Sequence, residues 1–152
     1  MLAGMVIYVR TEGAPRTPAR VGVVLRADGR PVLVTVQCAG RWVGSAKVVR
    51  AESVDTVVWS AEALVKPGSR DVAMSGPVPG YGVDGNLENV PAEVRLELGS
   101  VADDRGVAIG ESRVVFRRVD LRVDEVLVGV IAKDGSLRYM PRGEFAGSLP
   151  RC

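Results

Sequence analysis

Apolar and polar residues alternate along most of this chain in runs too short for helices. In residues 92–98, Val94, Leu96 and Leu98 alternate with Glu93, Arg95 and Glu97, the period of two that buries one face of a strand and wets the other. Residues 5–10 form a short apolar and aromatic run, and residues 13–20 interrupt it with Pro15 and Pro18, which disfavour both helix and ladder pairing. Residues 21–25 and 31–38 are apolar runs flanking Ala27-Asp28-Gly29. An Asp-Gly pair tolerates positive φ, so 21–38 are predicted to form a β-hairpin. After a turn at Ala39-Gly40, residues 41–49 and 54–59 add further strands, at the spacing of a small antiparallel barrel or sandwich. Residues 60–65 have room for a helical turn.

The rhythm breaks over residues 66–91, which hold Pro67, Pro77, Pro79 and Pro91 among Gly68, Gly76, Gly80, Gly82 and Gly85. A structureless stretch of that length is uncommon in a compact domain and serves as a binding arm or a linker. Strand patterns return at 92–98. A turn is expected at Asp103-Asp104-Arg105-Gly106, then a long strand over 112–123 whose apolar phase shifts near Arg117-Arg118, as a bulge would cause. A hairpin over 126–139 turns at Lys133-Asp134-Gly135, and 140–152 read as coil or a short helical turn. Residues 21–29 and 128–135 echo each other in a Val-Gly-Val strand and an Asp-Gly turn, which two hairpins sharing one turn chemistry explain better than duplication.

These elements predict an all-β, mainly antiparallel protein with little helix. Its parts are a small barrel-like, SH3-like or sandwich module over 1–65, a Pro/Gly-rich loop or arm over 66–91 and a C-terminal β module over 92–152. The two modules are free to pack as one domain.

Composition changes this picture only at the margins. Apolar residues at 47% and charged ones at 25% are globular values, and no apolar run is long enough for a membrane span. Residues 1–9 lack a basic leader, so cytoplasmic synthesis is expected. Seventeen arginines against three lysines reflect GC-rich codons first. Two cysteines, Cys38 and Cys152, are too few for a disulfide framework and lack metal-ligand spacing; Cys38 shares the phase of Val32, Val34 and Val36 and is expected to be a small buried hydrophobe. The net charge of +2 hides an asymmetry: residues 1–50 hold 8 basic and 2 acidic side chains, and residues 51–100 hold 3 and 8.

The absence of histidine removes the commonest general base and metal ligand. Carboxylates are what an enzyme would have to use, and Asp120, Asp124 and Glu125 lie close in sequence. Asp120, Arg122 and Asp124, however, alternate with Val119, Leu121 and Val123 as the wet face of a strand would, a solvated charge ladder. Asp84, Asn86 and Glu88 resemble only a fragment of a calcium loop. No catalytic residue, metal site or cofactor is expected. Arg26, Arg30, Arg41 and Lys47 are candidate phosphate contacts if they converge, with Tyr8 and Trp42 for stacking. Arg16, Arg20, Pro77, Pro79, Tyr81 and Asp84 are candidate interaction residues on the N-terminal arm and the loop.

The function this favours is a non-enzymatic structural subunit, a homo-oligomer or a protein docking onto a larger lattice, since a basic end and an acidic middle are complementary between copies. Size, composition and β content fit a bacteriophage virion component such as a neck, tail or capsid-decorating protein. A nucleic-acid-binding β-barrel and a carboxylate enzyme are the alternatives.

Overall fold

The computed structural model describes residues 16–17, 19–67, 71–87, 93–110, 112–128 and 138–148. The strand expected over 5–10, Tyr8, Glu88, Pro91, most of the second copy of the echo and the turn at 133–135 lie outside them.

The strands are β1 (Arg16–Thr17), β2 (Ala19–Leu25), β3 (Pro31–Gln37), β4 (Trp42–Arg50), β5 (Ser53–Ala63), β6 (Val72–Ala73), β7 (Tyr81–Gly85), β8 (Val94–Asp103), β9 (Gly106–Gly110), β10 (Arg113–Phe116), β11 (Glu125–Val128) and β12 (Tyr139–Pro141). Among the described residues one short helix, α1 (Arg142–Ala146), follows. The larger sheet runs β1-β9-β8-β4-β5-β7, with β10 also paired to β8, and the smaller runs β12-β11-β2-β3-β6. Every pairing is antiparallel except β1 with β9. The chain is therefore all-β, as its alternation predicts. The barrel form of that expectation is not met, because among the described residues neither sheet closes on itself.

The two sheets enclose one core. Val21, Val23, Leu33 and Leu127 of the smaller sheet join Val48, Trp59, Leu96 and Phe116 of the larger in a single buried cluster. Burial removes apolar area from water, which is the main force holding the sheets together. A second cluster lies on the opposite face of the smaller sheet, where Val24, Val32, Val34, Val36, Val126 and Val128 pack with Phe145 of α1. The smaller sheet is thus buried on both faces, which is why β3 is apolar nearly throughout and buried at every position. Gly22 makes that second contact close: a Cβ there would lie 2.2 Å from Val126 Cγ1 and 3.4 Å from the Phe145 ring.

Strands from both ends of the sequence meet in each sheet: β4 pairs with β8 and β2 with β11. The long strand β8 uses its whole length on one edge against β4, while its other edge is divided between β10, opposite residues 94–97, and β9, opposite 100–103.

The β2–β3 hairpin turns where its Asp-Gly pair predicts, with Gly29 at φ 81° and the Asp28 carboxylate accepting the Arg30 N–H. The turn at 103–106 is likewise present, Asp103 accepting from the Arg105 and Gly106 amides. Three expectations change. Residues 60–63 are strand, not helical turn, because Trp59, Ala61 and Ala63 face the core while Ser60 and Glu62 face outward. Residues 66–91 are not one long loop: β6 pairs with β3, β7 pairs with β5, and Val72, Met74, Tyr81 and Leu87 are buried. Both strands are too short, and too closely flanked by proline and glycine, to show a period. Residues 112–123 are not a bulged strand. β10 ends at Phe116, and the phase shift marks a 3-10 turn over Arg118–Asp120, held by the Asp120 carboxylate accepting the Arg117 N–H at 2.9 Å.

Candidate functional site

The outer face of the smaller sheet is covered by α1, whereas that of the larger sheet forms an open trough with a cavity volume of about 870 Å³. Cross-strand neighbours in an antiparallel ladder point to the same side, so the register sets its lining as rows across the strands. The first row is Arg113 on β10, Glu97 on β8, Lys47 on β4, Ser60 on β5 and Asp84 on β7. The second is Ile109 on β9, Ser100 on β8, Ser45 on β4, Glu62 on β5 and Gly82 on β7. Leu64 reaches back over Gly82, its Cδ2 lying 3.6 Å from where a Cβ would be.

The floor is made of small residues for a reason visible in the ladder. A bulge in β4 around Gly44 and Ser45 sets the Ser45 and Ser100 hydroxyls 2.9 Å apart, and a Cβ on Gly99 or Gly44 would lie 2.6 or 2.5 Å from one of those oxygens. Beyond Ser45 the trough continues into a hollow of about 370 Å³ between Trp42, Leu64, Val65, Lys66 and Val107. There Lys66 sits over the Trp42 ring and 3.7 Å from Asp104. The rims are apolar and bare: Leu64, Val65 and Val107 are 72%, 65% and 68% exposed, and Ile109 is 40% exposed.

Charge within the trough is partly self-satisfied. The Glu97 carboxylate lies 3.0 Å from Arg95 Nε and 3.8 Å from Lys47 Nζ. Arg113 and Asp84, at the two ends of the first row, have no ion-pair partner among the described residues.

The residues singled out in the sequence are dispersed. Arg26 and Arg30 flank Asp28 at the β2–β3 turn, at 3.5 and 3.8 Å, Arg41 is 3.8 Å from Asp103 at the β8–β9 turn, and Lys47 is in the trough beside Glu97. The four are split between two sheets, each beside a carboxylate, rather than gathered on one face. Two ion pairs join the basic first third to the acidic middle, Lys47 with Glu97 at 3.8 Å and Arg50 with Glu52 at 3.6 Å. Of the arm and loop residues, Arg16 and Arg20 are on β1 and β2, and Pro77 and Pro79 are exposed between β6 and β7. Asp84 reaches the trough. Tyr81 is buried, and its hydroxyl donates to Val43 O at 2.8 Å. Burial pushes its pKa up to about 12.

Asp120 and Asp124 do not form a strand face. Asp120 is held by Arg117, and Arg122 pairs instead with Glu125 at 2.9 Å. Among the described residues no three acidic or cysteine side chains gather as a metal site would require, and no helix is long and apolar enough to cross a membrane. Cys38 is buried, as its phase predicts, and it is disulfide-bonded. The chain's other cysteine, Cys152, lies outside the described residues.

No protein-family model, curated protein or solved structure matches this chain. The reading of the trough therefore rests on its own chemistry. The Ser45 hydroxyl shares a 2.9 Å hydrogen bond with the Ser100 hydroxyl, and Glu62 is its cross-strand neighbour. What the trough offers is a wide, shallow surface with fixed charges and apolar rims. Sequence reasoning missed Ser45, Glu62, Leu64, Ile109 and Arg113; the alternation of Ser60, Glu62 and Leu64 was the available signal for three of the lining positions.

Proposed function

We propose that this protein is a non-enzymatic structural subunit that docks onto other protein through the outer face of its larger sheet. The observation that carries this is the unequal cover of the two sheets. The smaller sheet is sealed by α1 on its outer side, while the larger one presents a trough rimmed by Leu64, Val65, Val107 and Ile109. Exposed apolar groups clustered around a polar floor mark a surface that meets a partner. A bacteriophage virion, with the chain as a neck, tail or capsid-decorating component, is the setting that the β-rich, histidine-free composition suits.

The test is gradient sedimentation of extracts from the producing cells, with the chain followed by mass spectrometry. It is expected to travel with a large particle. The double variant Leu64→Asp/Ile109→Asp is expected to shift to the free fraction, while Val119→Asp, at a position 81% exposed but outside the trough, stays with the particle. A wild-type chain found only in the free fraction overturns the reading.

A further inference from the structure

We infer that the partner seated on this face is a second copy of the chain, related by a two-fold axis that runs parallel to β4 between two facing larger sheets. The inference rests on the docking reading above and names its occupant.

The first row reads, from edge to edge, Arg113, Glu97, Lys47, Ser60, Asp84. A two-fold parallel to the strands and centred on β4 lays this row over its own reverse. Arg113 then faces Asp84 of the other copy, and Asp84 faces the other copy's Arg113, so each symmetric contact forms twice. An in-plane axis perpendicular to the strands and running along this row would lay Arg113 over Arg113 and Asp84 over Asp84, like charge on like. Arg113 and Asp84 are also the charges of this row with no ion-pair partner among the described residues, whereas Lys47, which the axis lays over its own copy, is offset by the Glu97 carboxylate 3.8 Å away in the same subunit.

The second row obeys the same operator independently. Ile109 stands at one edge and Leu64, folded over Gly82, at the other. Reversal lays Ile109 over Leu64 of the second copy, apolar on apolar, and Ser100 over Glu62, hydroxyl on carboxylate. Contact falls on the raised walls of the two troughs, and their small-residue floors enclose a polar space between, as wet interfaces do.

Sedimentation equilibrium of the purified full-length chain, with Arg113→Asp, Asp84→Arg and the double exchange, tests this. Wild type is expected to dimerise, with an affinity that falls as salt rises. Each single reversal strikes two contacts and is expected to weaken the dimer at least about tenfold, through like-charge repulsion. The double exchange is expected to restore it. Circular dichroism checks that each variant is folded; if a reversal misfolds, Arg113→Gln and Asp84→Asn replace it, each expected to weaken the dimer less steeply. A wild-type monomer at the highest attainable concentration overturns the inference. So does a dimer that ignores the single changes, or one that the exchange fails to restore. A monomer that still sediments with a particle through Leu64 and Ile109 leaves the docking reading standing and removes only the self-pairing.

Discussion

Tyr81 shows how one hydroxyl ties an edge strand to the core. Its ring is buried and its O–H donates to Val43 O, so β7 is anchored to β4 across the intervening β5. Tyr81→Phe removes that bond and is expected to cost about 0.5–1.5 kcal/mol in urea unfolding. Because burial holds the folded-state pKa near 12 against an ordinary 10, the fold favours the protonated phenol. Its contribution is complete below pH 10 and drains away as pH rises from 10 through 12. Thermal melts across that range are expected to narrow the gap between wild type and Tyr81→Phe. Cys38 makes a second residue-scale test. Unreduced, denatured protein is expected to yield no thiol at Cys38 to a titrating reagent, and reduction is expected to lower stability by about 2–4 kcal/mol.

At the scale of elements, α1 and the β5–β7 edge make opposite use of apolar side chains. Phe145, 3% exposed, seals the second cluster, so Phe145→Ala is expected to destabilise by about 3–5 kcal/mol. Leu64→Asp, at a position 72% exposed, is expected to change stability little in the same denaturant titration and to act only on association. The strands of the β2–β3 hairpin, β4 and β8 were legible because each is long enough for its alternation, or its unbroken apolar run, to be read. β6 and β7 were not, since two and five residues among prolines and glycines carry no period. The turn at Arg118–Asp120 looked like a strand with a slipped phase, because Val119 and Leu121 kept the period of two through a bend that only the Asp120 carboxylate specifies. The trough was legible only in fragments. Its lining comes from β4, β5, β7, β8, β9 and β10, and what places Arg113 in line with Asp84 is register, a relation between strands that no one stretch of sequence contains.

For the molecule as a whole, the interleaving of strands predicts one cooperative unit. Residues 1–65 supply β2 and β4 without β11 and β8, and residues 92–152 supply the reverse. Each fragment alone is expected to lack the β signal in circular dichroism, whereas the full chain is expected to unfold in a single transition whether followed by Trp59 fluorescence or by dichroism. The pairing of β2 with β11 carries a further consequence for biosynthesis. Val23 must wait for Leu127, about a hundred residues later in translation. A ribosome adding about 5–20 residues per second therefore leaves one edge of β2 open for several seconds on the growing chain. An unpaired, valine-rich edge is what trigger-type chaperones and neighbouring nascent chains compete to cover, so the yield of this protein in a foreign host is expected to respond to translation speed and to chaperone supply more than to any change on its finished surface.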